Sequence, residues 1–182
     1  MRITAGYHRN RQIRTLSGDN TRPTTEKVRE AVFSHLGTYF DGGLFLDLFA
    51  GSGAMALEAL SRGMERAVLV DNSSQAIAVI NANIKDLELK EETEVLKCSY
   101  QTALNRFHDE GRKFDYIFID PPYRLRLGSE LLAQITSLEL LAPQGTVIVE
   151  TQKEEEITVP EGLRLEKSAN YGISRITYVK RS

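Results

Sequence analysis

One cysteine, Cys98, is all that the 182 residues contain. No disulfide can form within the chain and no cysteine-based zinc site can be built, which fits a reducing compartment and an expected cytoplasmic location. No apolar run approaches membrane-spanning length, and Met1-Arg2-Ile3-Thr4-Ala5-Gly6 is too polar for a signal peptide, so no membrane association is expected. His8, His35 and His108 lie far apart without metal-ligand spacing, and no metal is expected. An excess of one charge is also missing: a net charge of −2 gives no global attraction to nucleic acid. Repeats, low-complexity tracts and interdomain linkers are absent. What remains, 41% hydrophobic and 26% charged residues, is a globular composition of single-domain length with enough apolar material for a core.

Charge is unevenly placed within that whole. Arg2, Arg9, Arg11, Arg14 and Arg22, with His8 among them, face a single acid, Asp19. Residues 1–22 therefore read as a basic arm that meets phosphates, and residues 23–182 as the body of the protein. A solvated arm with no partner is the plainer alternative. Gly6, Asn10 and Gly18 supply turn points, which predicts a short strand or hairpin. Thr21-Arg22-Pro23-Thr24-Thr25 then opens a helix capped by Thr24 or Thr25, with Glu26 at the positive end of its dipole. Val28, Ala31, Val32 and Leu36 recur at helical spacing, leaving Arg22 and Arg29 polar.

Leu44-Phe45-Leu46-Asp47-Leu48-Phe49 reads as a buried strand running into Ala50-Gly51-Ser52-Gly53-Ala54-Met55-Ala56 and a helix up to Gly63. Glycines at 51 and 53 permit a tight turn and close approach of a ligand, and Ala56 fits the third small position of a dinucleotide fingerprint. A second strand, Ala67 to Val70, ends in Asp71, near the spacing at which an acid grips ribose hydroxyls. Asp47 at the end of its strand could hold a cationic amine, which S-adenosylmethionine carries and a nicotinamide dinucleotide lacks. Ser73 or Ser74 caps the next helix, whose Ile77, Ile80, Ile84 and Leu87 form a core stripe. A third strand, Thr93 to Cys98, brings Ser99 and Tyr100 to its end, where they would border an adenine.

Phe114 to Tyr123 carries the chemistry. Tyr116-Ile117-Phe118-Ile119 is a strand buried on both faces, stopped by Asp120-Pro121-Pro122-Tyr123. The prolines cannot donate ladder hydrogen bonds and hold the residues before them extended, so a stiff bend forms at a strand's carboxyl end, where open α/β sheets bind ligands. An exocyclic amine on a nucleobase is a poor nucleophile because its lone pair is delocalised into the ring. Asp120 and the Pro121 carbonyl, accepting its two N–H groups, would draw the nitrogen toward a tetrahedral shape, and Tyr123 would stack on the extruded base. An ordinary turn with a solvated acid is the bland alternative. A helix from Leu127 to Leu141, burying Leu131, Leu132, Ile135 and Leu138, follows. A turn at Pro143-Gln144-Gly145 leads to a strand from Thr146 to Glu150. Lys153 to Glu156 reads as a solvated loop, and Leu163 to Lys167 with Ile173 to Val179 as a hairpin that adds an antiparallel strand. Strands alternating with helices predict an α/β, mostly parallel, doubly wound sheet.

Taken together, Asp47 to Gly53 and Asp120 to Tyr123 resemble an S-adenosylmethionine-dependent amino-methyltransferase. With Arg2-Ile3, Gly6, Arg11, Thr21 to Thr25 and Leu57-Glu58-Ala59-Leu60-Ser61-Arg62-Gly63, the chain resembles the bacterial RsmD family from end to end. The resemblance implies a class I, Rossmann-like methyltransferase fold with a seven-stranded sheet, its last strand reversed, and helices on both faces. It also implies methylation of a guanine N2 in 16S ribosomal RNA or the small ribosomal subunit. Carried over, Asp47, Phe49, Gly51, Ser52, Gly53, Asp71, Asn72, Ser99 and Tyr100 would contact S-adenosylmethionine. Of the catalytic bend Asp120, Pro121, Pro122 and Tyr123, the first two would orient the amine and Tyr123 would stack on the base; the five arm arginines would contact RNA. Ser99 replaces a usual Asp, Asp71 a frequent Glu, and Asn10 a usual Gly, the last compatible with left-handed backbone. The rival readings are adenine-N6 methylation, a nicotinamide-dependent oxidoreductase and a non-catalytic RNA-binding module.

Overall fold

The structure, a computed structural model, describes residues 1–17 and 25–182. Arg22 and the candidate cap Thr24 therefore lie outside the described residues. Two compact units divide the chain, Met1–Tyr100 and Gln101–Ser182. The strands form a seven-stranded sheet in the order β3-β2-β1-β4-β5-β7-β6.

In the first unit the arm closes on itself as an antiparallel hairpin. Arg2 bridges Gln12, and the Ile3 and Ile13 amides donate to the carbonyls of Arg11 and Met1 at 2.9 Å. Ile3 and Ile13 are buried, so this hairpin packs on the body. Asn10 sits at its turn with φ 68°, the left-handed geometry expected of it. Helix α1 (Glu26–Leu36) is capped by Thr25, whose hydroxyl accepts from the Val28 amide at 3.2 Å. Its buried face is Val28, Arg29, Val32 and Phe33. Arg29, read as polar from its spacing, is fully buried because an acid distant in sequence reaches it. Strands β1 (Leu44–Asp47), β2 (Arg66–Asp71) and β3 (Thr93–Lys97) are parallel, with Leu44 opposite Arg66 and Ala67 opposite Thr93. Between the first two runs α2 (Ala54–Ser61), buried at every position. Helix α3 (Ser74–Leu87) starts at Ser73, whose hydroxyl accepts from the Ala76 amide. Of its expected stripe Ile80, Ile84 and Leu87 are buried and Ile77 is half-buried.

Helix α4 (Tyr100–Asp109) begins where the first unit ends. In the second unit Phe107 meets Phe114 edge-on at 5.0 Å, fixing the start of β4 (Phe114–Ile119). Ile117, Phe118 and Ile119 are buried as expected, while Tyr116 is half-buried. A single 3-10 turn, Tyr123–Leu125, follows the prolines. Helix α5 (Gly128–Ser137) is shorter than its apolar spacing predicts. Glu139 adopts φ 54°, and the Leu140 amide turns back to the Ile135 carbonyl at 3.1 Å, which ends the helix and leaves Leu138 half-buried. Leu141 already belongs to β5 (Leu141–Gln152), and the expected turn at Pro143-Gln144-Gly145 is a register break inside that strand. Glu155, expected in a solvated charge run, is buried because it accepts from the amide of Gly128, the first residue of α5. Such amides have no partner within the helix, and a carboxylate there is favoured. The hairpin is longer than expected: β6 (Leu163–Tyr171) and β7 (Ser174–Arg181) pair through Asn170 and Tyr171, leaving Gly172 and Ile173 as the turn. Strand β7 runs antiparallel to β5, the reversed strand that the resemblance implies.

Candidate functional site

The glycine turn is built from β1 outward. Parallel strands need no hairpin and hand their last residues to the loop above, so Asp47 stands at the end of β1, directly below α2. Its Oδ2 accepts from the Ala56 amide at 3.3 Å, satisfying one of the helix's orphan donors from a neighbouring strand. Gly53 forms the N-cap at φ 83°, and a side chain there would press on Leu69. The loop is tied down at its other side by Asp71. That carboxylate accepts from the Gly51 amide through Oδ2 and from the Ser73 amide through Oδ1, both at 2.9 Å. A carboxylate has about four acceptor positions, so lone pairs remain for two further donors such as ribose hydroxyls.

Asp47 is 1% exposed, and its Oδ1 has no hydrogen-bond partner among the described residues. Buried polar atoms are seldom left this way, and the cationic amine of a methionine moiety is the kind of group that would satisfy it. Burial pushes the Asp47 carboxyl up to about 7; the Ala56 amide opposes the rise and the charge of Asp71 adds to it. Between about pH 4 and about 7 the folded protein thus holds a proton that the unfolded chain has released. Stability of the ligand-free protein is expected to be greatest below that window and to fall as pH rises through it. Asp47→Asn should remove the decline, read from urea unfolding at pH 5 and pH 8. A decline of the same size in the variant would assign it to another group.

Phe49 and Tyr100 form a tilted aromatic pair, centroids 5.4 Å apart, beyond β1 and at the start of α4. A flat ring such as adenine can lie against such a pair. Ser99 is half-buried and Asn72 exposed. Ser52 is fixed by a residue that the sequence did not single out. Asn83, buried in α3, donates through Nδ2 to the Ser52 and Arg14 carbonyls at 3.0 Å and accepts the Arg14 amide through Oδ1 at 2.8 Å. The available signal was a polar residue beside Ile84 in an apolar stripe.

Arm anchoring falls to Glu58 of α2, also missed. Its carboxylate accepts from the Thr4 and Ala5 amides and the Thr4 hydroxyl. It also pairs with Arg29 at 3.2 Å and Arg62 at 3.0 Å. Burial lowers the Arg29 pKa and Glu58 opposes that shift. The arm arginines carry looser ties: Arg2 meets Glu26 at 3.6 Å, Arg14 meets Asp86 at 3.1 Å, and Arg11 donates to the Asp86 carbonyl. Exposed pairs of this kind are worth about 0–1 kcal/mol.

The Asp120 to Tyr123 bend lies in the second unit, after β4. Pro121 is buried, Pro122 exposed, and Asp120 and Tyr123 half-buried. Tyr123 is held by its hydroxyl, which lies 2.7 Å from Ser174 Oγ and donates to Glu150 Oε1 at 3.4 Å. Glu150 and Ser174 are buried residues of β5 and β7, so the aromatic ring of the motif is steadied by two strands that arrive much later in the chain. No local pattern around Tyr123 announced them.

Comparison with known proteins places these features in company. The family model described as conserved hypothetical protein 95 matches residues 1–180. YlbH of Bacillus subtilis (strain 168) is 37% identical over 182 residues, 100% of this chain and 99% of the relative. Ribosomal RNA small subunit methyltransferase D of Haemophilus influenzae is 30% identical, covering 95% of this chain and 90% of the relative. Among solved structures, yhhF of Escherichia coli superposes with a TM-score of 0.86 at 29% identity, over 100% of this chain and 97% of that one.

Proposed function

This chain belongs to the conserved hypothetical protein 95 family, the RsmD family that its motifs resemble, and from that membership we propose that it is an S-adenosylmethionine-dependent methyltransferase acting on the N2 amine of a guanine in 16S ribosomal RNA. The observation that carries the reading is a match over residues 1–180, which takes in the arm, the glycine turn and the Asp-Pro-Pro-Tyr bend together. Two rivals each leave one of these unexplained: an oxidoreductase has no use for the bend, and a binding module none for the turn; adenine-N6 methylation would use both and is told apart by the nucleoside produced.

Bound S-adenosylmethionine supplies an electrophilic methyl group on a sulfonium centre. Asp47 would face its amino group, Gly51, Ser52 and Gly53 would admit it closely, and Asp71 would take its ribose hydroxyls. Phe49 and Tyr100 would flank the adenine, with Asn72 and Ser99 at its border. Asp120 and the Pro121 carbonyl would accept the two N–H groups of the base amine, loosening the lone pair from the ring. Pro122 stiffens the bend and Tyr123 stacks on the base. Transfer is direct, with no covalent enzyme intermediate, and Asp120 need not be a strong base because the alkylated nitrogen gives up its proton readily. Residues 1–22 act as the RNA-binding arm and residues 23–182 as the methyltransferase body, working in the cytoplasm.

Protein incubated with tritiated cofactor and, separately, small-subunit RNA, assembled subunits and DNA should label ribosomal RNA, with N2-methylguanosine recovered on digestion. N6-methyladenosine from any of these would replace the reading with its nearest rival. The arm gives a second test. Replacing Arg9, Arg11 and Arg14 with Ala should weaken RNA binding and reduce the slope of log affinity against log salt by roughly 0.7–0.9 for each phosphate no longer neutralised. An unchanged slope would remove the arm from the RNA interface.

A further inference from the structure

We infer that Tyr7, at the tip of the arm, is a stacking platform for an unpaired RNA base, a contact separate from the base that is methylated. The inference rests on the RNA reading above. Tyr7 is 88% exposed, the most exposed large apolar side chain among the described residues. Exposed tyrosines are common on flexible loops, but this one stands on a rigid support. Gly6, at φ 85°, lies so close to α2 that a side chain would collide with the Ser61 carbonyl. That same carbonyl accepts the Tyr7 amide at 2.8 Å, while the Ser61 hydroxyl accepts the His8 amide at 2.9 Å and donates to the Ala5 carbonyl at 2.6 Å. Ala5, Tyr7 and His8 are thus all fixed to one residue of a buried helix, while the ring between them is left in water.

Burying a ring of this size against the body would have been favourable, so a backbone this constrained that holds it outward needs a reason. The segment that carries the ring supplies one. Residues 1–17 contain Arg2, Arg9, Arg11 and Arg14 and no acid. Arg9, two residues from the ring, is exposed and makes no side-chain bond among the described residues. Arg11 and the acids Glu88 and Glu92 act together on the neighbouring His8, so the excess of positive charge belongs to the segment itself. An aromatic face carried on a cation-rich segment is how proteins grip unpaired nucleotides: the cations follow the phosphates and the ring takes a base of any sequence. The tip is already ordered, so little conformational entropy is lost when a base lands on it.

The test uses the full chain and protein-free small-subunit RNA. Tyr7→Ala should bind about 5- to 150-fold more weakly, the range that stacking on one base gives. Its salt slope should match the unaltered protein, because stacking releases no counterions, whereas Arg9→Ala should lower the slope. Thermal unfolding of Tyr7→Ala should be unchanged, since the side chain makes no packing to lose. The chain has no tryptophan, so Tyr7→Trp introduces a single indole whose emission should be quenched by RNA while affinity stays within about twofold of the parent, as stacking on any aromatic face allows. Undiminished affinity in Tyr7→Ala, or unquenched emission at saturating RNA, overturns the inference and leaves the methyltransferase reading intact. Quenching by RNA-free small-subunit proteins and not by RNA overturns it in favour of a protein contact. An unaltered protein that neither binds nor methylates RNA removes both.

Discussion

Asp120→Ala is expected to lower turnover on small-subunit RNA by about 100- to 1,000-fold, the loss typical when one polar group aimed at developing charge is deleted. Affinity for S-adenosylhomocysteine should barely change, because Asp47 and Asp71 are fixed by the Ala56 and Gly51 amides within the first unit and Asp120 is in the second. This split is what separates an amine-orienting role from a structural one. If Asp120 merely stiffened the bend, RNA and cofactor binding would suffer with turnover and melting temperature would drop. Asp120→Asn adds a finer reading, since an amide still offers one oxygen to an N–H but presents an NH₂ where the second acceptor lone pairs were. Turnover should fall between the parent and the alanine variant. Near-normal turnover of Asp120→Ala would end the proposed role, whatever the nucleoside made.

Glu58→Ala is expected to destabilise the protein by about 3–5 kcal/mol, the cost of leaving buried charges without their partner. Two guanidiniums depend on this carboxylate, Arg29 and Arg62, neither with appreciable exposure. The same change frees the Thr4 and Ala5 amides, so the arm should detach before the body melts. Urea unfolding would give the first quantity and hydrogen exchange at the Thr4, Ala5 and Tyr7 amides the second. A loss below about 1 kcal/mol would place the triad among ion pairs that a well-packed apolar substitute could replace. Arg29 also donates to the Arg2 carbonyl, so arm and helix α1 share the anchor.

What the sequence disclosed and what it withheld follow one physical line. Features carried by neighbours in the chain could be read: β1, β2 and β4 from short apolar runs, the loop after β1 from its glycines, the stop after β4 from two prolines, the left-handed Asn10. Features set by residues distant in the chain could not. Arg29 looks like a solvated helix residue until Glu58 reaches it, and Glu155 like part of a charge run until Gly128 offers its amide. Asn83 and Glu150 act on Ser52 and Tyr123 from 31 and 27 positions away. Helix α5 ends early because apolar spacing continues past the point where Glu139 turns left-handed; periodicity records a face and says little about where it stops. The glycine loop and the acids beside it were thus legible as residue types, while the hydrogen bonds that hold those residues were not.

Strand β6 is the last in the sheet order, and one side of its backbone has no sister strand among the described residues. Bare margins of this kind recruit other chains, and nine residues are long enough to do so. Arg164, Glu166 and Lys167 interrupt it with charge, Glu166 is held by Lys180 at 3.3 Å, and the register slips between Leu165 and Lys167. A newcomer would have to bury those charges and follow the slip, so the exposed Leu165 does not become a seam for fibril growth. Charge and slip together keep the open flank of the sheet unattractive to other chains.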